Sequence, residues 1–108
     1  MKRLALVLAV LAAPAAAQSP HEHHIVGGWS EVPRAALEAD VGPAARFAVS
    51  RLPRPHAPLK QIVGAERQVV AGTNYRMLVT LKDGKRWRLV VWKKLDGTMQ
   101  LTWSKREG

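Results

Sequence analysis

The residues of this chain that could do chemistry are few and scattered. HEHH (21–24) places His21, His23 and His24 within four positions, and imidazoles of this kind ligate zinc, copper or nickel. They lie in a polar stretch, SPHEHH (19–24), that reads as a mobile tail, and no fourth ligand is in evidence. We therefore expect a solvated tail and no metal site. His56 is isolated, Tyr75 is the single tyrosine, and cysteine is absent. No nucleophile–base pair and no paired carboxylates stand out, so we expect no catalytic residue, no enzyme and no cofactor. A second kind of chemistry is charge. Arg86, Arg88, Lys93 and Lys94, with Trp92 among them, could form a basic stacking face for nucleic acid. Clean alternation of this sort more commonly marks a solvated sheet face. The third candidate is apolar. QVVAG (68–72) puts Val69, Val70 and Ala71 immediately before Gly72, where a turn belongs and polar residues are the rule. An exposed apolar loop of this kind points to an interface.

The elements that must hold these residues follow from periodicity. Residues 1–17 read as an address: Lys2 and Arg3, the apolar run 4–13, then Pro14 and Ala15–Ala17 have the layout of a secretory signal peptide cleaved after Ala17. The expected product is secreted or periplasmic, with no membrane attachment after cleavage. Loss of Lys2 and Arg3 takes two from the 17 basic residues, against 8 acidic, so the net charge falls from +9 to +7. Such a surface attracts acidic partners without selecting among them. About 90 residues without disulfides suffice for one sheet packed on one helix.

Residues 18–24 are expected to be a tail and 25–108 one domain. IVGGWSEV (25–32) is a short β-prone stretch interrupted by Gly27 and Gly28, and a looser segment follows Pro33. Asp40 has the character of a helix N-cap with Pro43 in the first turn. Val41, Ala44, Ala45, Ala48, Val49 and Leu52 then recur at helical spacing until Pro53 and Pro55 end the helix. Beyond residue 59 the period becomes two. A strand runs to residue 71 with Gly64 as a bulge site, and Tyr75, Met77, Val79 and Leu81 form the apolar face of the next. Asp83-Gly84 and Asp96-Gly97 read as two-residue hairpin turns. Trp87, Leu89 and Val91 share one face, as do Met99, Leu101 and Trp103, which places Trp103 in the core. The class is α+β: one helix on a four- to five-stranded antiparallel sheet, as a monomer.

These segments, in this order, resemble the cystatins, protein inhibitors of papain-like cysteine proteases. Gly27-Gly28, AARFAV (44–49) in the helix, QVVAG (68–72) and VVWKKLDG (90–97) carry the likeness, which spans residues 25 to 104 and is nearest to the plant members. It implies a cystatin-like fold in an exported member of bacterial type. It also implies an occluding wedge that enters the protease cleft without being cut. In that wedge Gln68, Val69, Val70, Ala71 and Gly72 are the central blade, and Ile25, Val26, Gly27 and Gly28 the N-terminal arm. Leu95 and Asp96 stand where the family usually carries Pro-Trp, which implies weaker or more selective inhibition. One valine of the loop can face inward while its neighbour points out. The competing reading is a non-inhibitory binding module of the same fold, its basic sheet face taking acidic or anionic partners.

Overall fold

The computed structural model describes residues 28–107. Five strands, β1 (Trp29–Glu31), β2 (Leu59–Val70), β3 (Gly72–Leu81), β4 (Arg86–Lys93) and β5 (Met99–Glu107), make one antiparallel sheet in the order β1-β2-β3-β4-β5. The α-helix, α1 (Gly42–Ser50), packs across one face of the sheet.

The helical rod starts earlier than the apolar spacing predicts. A 3₁₀ turn, Arg34–Ala36, follows Pro33 and leads into a widened π-helical turn, Leu37–Val41, which runs into α1. Pro43 explains the widening: it has no N–H to donate one turn back, and its ring crowds the preceding turn. Asp40 therefore lies inside the rod and caps nothing. Its carboxylate instead accepts from the Arg67 guanidinium and, at 3.2 Å, from the Tyr75 hydroxyl, tying the rod to β2 and β3. After Ser50, Arg51 and Leu52 donate to Ala48 and Val49 in a tightening last turn, which buries Leu52.

Ala44, Ala45 and Ala48 are all but inaccessible, so the helix backbone approaches the sheet closely. Val41 and Val49 fill the flanks against Ile62, Met77, Val79, Leu81, Leu89 and Val91. The alternation on β3 and β4 is as predicted, with Trp87 half-buried beside the core. Bulges then curve the sheet round the helix. In β2 the register slips between Leu59 and Gln61 and between Ile62 and Gly64, so the second extra residue is Val63, beside Gly64.

A third bulge overturns the placement of Trp103. Val90 pairs with Trp103 and Val91 with Leu101, which leaves Thr102 as the extra residue. The Thr102 hydroxyl donates to the Val90 carbonyl at 3.2 Å. One inserted residue reverses the alternation, so Met99 and Leu101 pack on the core while Trp103 emerges on the far face, 48% exposed. The two Asp-Gly turns also differ from prediction. Gly84 N–H donates to Leu81 O and Gly97 N–H to Lys94 O, each glycine at positive φ, so each loop has three residues. Asp83 and Asp96 each accept the amide two residues on, from Lys85 and Thr98, which stabilises the longer loop.

The Asp40–Tyr75 contact predicts an alkaline signature. Burial first, then the charge and hydrogen bond of Asp40, push the Tyr75 phenol above its ordinary value, with Arg67 opposing. A folded pKa above the unfolded one stabilises the fold fully below about pH 10, and the contribution disappears as pH rises through the folded value. Tyr75→Phe is expected to cost about 1 kcal/mol at neutral pH. It should also flatten the alkaline fall of the melting temperature; equal alkaline slopes in the two proteins would contradict the assignment.

Candidate functional site

One end of the sheet carries two hairpin tips and the chain entering β1. In the first hairpin Val69 pairs with Thr73 and Val70 with Gly72, leaving Ala71 alone at the apex. Gly72 makes so tight a reversal possible. Its φ is +98°, and a Cβ placed there would lie 2.2 Å from the Lys93 carbonyl oxygen. No L side chain satisfies both conditions. The contact with Lys93 also sets the first hairpin directly against the start of the second.

Trp92 reinforces that junction. Its indole N–H donates to the Ala71 carbonyl at 2.9 Å, and Lys94 Nζ lies 5.3 Å from the ring centre. At the foot of the loop the Asn74 amide donates to the Gln68 side-chain oxygen at 2.9 Å, a cross-strand clip on a directly opposed pair. Sequence reasoning did not assign Trp92 or Asn74 to the loop. The available signal was Trp92 on the polar-side positions of β4, where a large aromatic needs a partner. Trp92→Phe keeps the ring and loses the donor. It is expected to weaken loop-dependent binding by roughly three- to tenfold, and unchanged binding would count against the propping role.

The apolar side chains of this rim face solvent. Val69 is 46% exposed and Leu95 83% exposed. Val70 is half-buried and Ala71 exposed, so neither valine is in the core. Leu95 crowns the second hairpin. Asp96 is exposed and bonded within its own turn: its Oδ1 accepts from the Thr98 amide at 2.9 Å and the Thr98 hydroxyl at 2.7 Å. The amide first, and the hydroxyl second, hold the Asp96 carboxyl below its ordinary pKa. Asp96 thus has protein partners for its charge. Gly28 lies one residue before the Trp29–Gln68 pair, so the chain reaches β1 level with Val69. Ile25, Val26 and Gly27 lie outside the described residues, as do His21, His23, His24 and the segment 1–17.

Residues 27–106 match the cystatin domain. The chain belongs to the cystatin family. This cystatin is 39% identical over 98 residues to cysteine proteinase inhibitor 5 of Arabidopsis thaliana, a match covering 84% of the chain and 74% of that relative. It is 37% identical over 94 residues to cysteine proteinase inhibitor 8 of Oryza sativa subsp. japonica, covering 74% and 68%. In fold it is similar to a salivary cystatin of the soft tick Ornithodoros moubata, with a TM-score of 0.64 and 21% identity, over 78% of this chain and all of that one. The expected cystatin-like α+β fold is therefore the fold observed, with five strands. As a cystatin, the protein is not an enzyme.

The four cations proposed as a stacking face are divided by this cystatin's geometry. Arg88 is paired with Glu107 at 2.8 Å, Lys94 covers Trp92, and Lys93 follows Leu89 and Val91 onto the opposite face of β4 from Arg86 and Arg88. Beside them Arg76 is paired with Glu66 and stacks on Trp29 at 4.2 Å.

Proposed function

We propose that this protein is a reversible, occluding inhibitor of papain-like cysteine proteases, exported and monomeric. Its wedge is the N-terminal segment Ile25–Gly28, the loop Gln68–Gly72 and the hairpin tip Leu95–Asp96. The observation that carries the proposal is the pair of exposed apolar tips, Val69 and Leu95, on hairpins fastened together at Gly72 and Trp92. Apolar side chains held in water gain when a cleft wall covers them, by about 1.5–3 kcal/mol for a fully exposed one and about half that for Val69. Rigid support reduces the ordering cost of association. The relatives from Arabidopsis and rice, both cysteine proteinase inhibitors, support the target class. Leu95 in place of an aromatic gives a smaller contact, so the grip depends more heavily on the first hairpin.

The test is titration of active papain with the purified protein, followed by mass analysis of the recovered inhibitor. Stoichiometric inhibition with an uncut chain supports occlusion. No inhibition at micromolar concentration, or cleavage within residues 68–72, sinks it. The alternative, a basic sheet face for anionic partners, is weakened by the pairing of Arg76 and Arg88 with Glu66 and Glu107.

A further inference from the structure

The positive charge of this protein is unevenly neutralised. Arg46, Arg67, Arg76 and Arg88 are each paired with a carboxylate, Glu38, Asp40, Glu66 and Glu107. At the opposite end from the hairpin tips the pattern changes. The length of β3, ten residues, puts that end about 30 Å from Gly72. There the connector after α1, the β3–β4 loop and the end of β5 line an open recess of about 240 Å³. Arg54, His56, Lys85, Trp87 and Arg106 line it, with Asp83 the one acid. Among the described residues Arg54, Lys85 and Arg106 have no carboxylate partner. Asp83 is engaged by the Lys85 amide at 3.0 Å. Trp87 and Arg106 are directly opposed across β4 and β5, so indole and guanidinium share one wall.

We infer that this recess binds a saccharide bearing a sulfate or phosphate ester. Three cations from three separate segments outnumber the single carboxylate of Asp83 around one recess, and two of them are guanidinium forks suited to a tetrahedral oxyanion. The half-buried indole of Trp87 supplies an apolar face beside the charge, which suits the C–H face of a sugar ring. The volume admits one ring-sized unit. A lone surface cluster would spread over an open face; here the connector bends back over the sheet end and makes a recess. The site is independent of the protease reading, since it lies at the other pole and shares no residue with the wedge.

The experiment is calorimetric titration at about 0.15 M salt with a heparin-derived disaccharide, its desulfated counterpart and glucose 6-phosphate. The sulfated or the phosphorylated sugar, or both, should bind, and the desulfated one should not. Arg54→Ala/Lys85→Ala/Arg106→Ala should weaken binding about tenfold or more. Arg34→Ala/Lys93→Ala/Lys94→Ala, which removes as many charges elsewhere, should change it less than about twofold. Equal losses in the two triple variants would mark a diffuse field and overturn the proposal, as would binding of the desulfated sugar. Amide shift mapping on the unmutated protein gives a reading that does not depend on variant folding. Shifts confined to residues 53–56, 83–87 and 106 are expected, and shifts elsewhere alone would overturn it.

Discussion

Gly72→Ala is expected to lower both inhibition and stability, the first by about a hundredfold or more. The residue at 72 sits at φ +98°, where an L side chain costs about 1–2 kcal/mol. The added methyl would also lie 2.2 Å from the backbone oxygen of Lys93, which is no flexible side chain and has to move as a unit with its hairpin. Relief comes only by parting the two hairpins, which breaks the Trp92–Ala71 hydrogen bond and separates Val69 from Leu95. Together the strain and the lost hydrogen bond amount to about 2–3 kcal/mol, a fall of roughly 10 °C or more in melting temperature for a domain of this size. Thermal denaturation and papain titration on the same sample give both numbers. Full inhibition with an unaltered melting curve would show that the hairpins are not coupled through Gly72.

Val69→Asp is expected to separate the two effects: a large loss of inhibition with almost none of stability. Val69 is already 46% exposed and contributes little to the core, so the melting temperature should move by no more than about 2 °C. Inside a cleft the change removes the apolar contact of a half-exposed valine, about 1 kcal/mol, and adds an unpaired carboxylate that must be desolvated at larger cost. Inhibition should fall by roughly two to three orders of magnitude. The two variants make a matched pair. If Val69→Asp instead unfolds the protein while inhibition per folded molecule persists, the valine is structural and the wedge is misplaced.

Much of this was legible in the sequence because binary alternation is a local property. Tyr75, Met77, Val79 and Leu81 occupy every second position, and the structure buries all four. The placement of Trp103 shows what periodicity cannot register, a single inserted residue. Trp103 follows Leu101 by two positions and belongs by spacing with the core, yet the bulge at Thr102 turns it outward. The helix start is hidden for a different reason. Pro33 signalled an irregular segment, and Asp40 looked like a cap, but its carboxylate is used by Arg67 and Tyr75, partners 27 and 35 residues away. The loop QVVAG was readable as an exposed apolar tip. Its buttress was not, because Lys93 and Trp92 meet Gly72 and Ala71 only after β4 pairs with β3. The recess at the far pole is not legible in the sequence: Arg54, Lys85 and Arg106 are spread over 53 positions and line one recess only when the connector lies against the sheet end.

Amide hydrogen exchange of the protein, free and in the presence of papain whose active-site thiol is blocked, tests the central claim most directly. Protection should appear at residues 68–72 and 94–97 and at the N-terminal segment up to Gly28, with the outer face around Arg76, Arg88 and Trp103 unchanged. Protection concentrated on that outer face, with both hairpin tips exchanging as they do in the free protein, would contradict it.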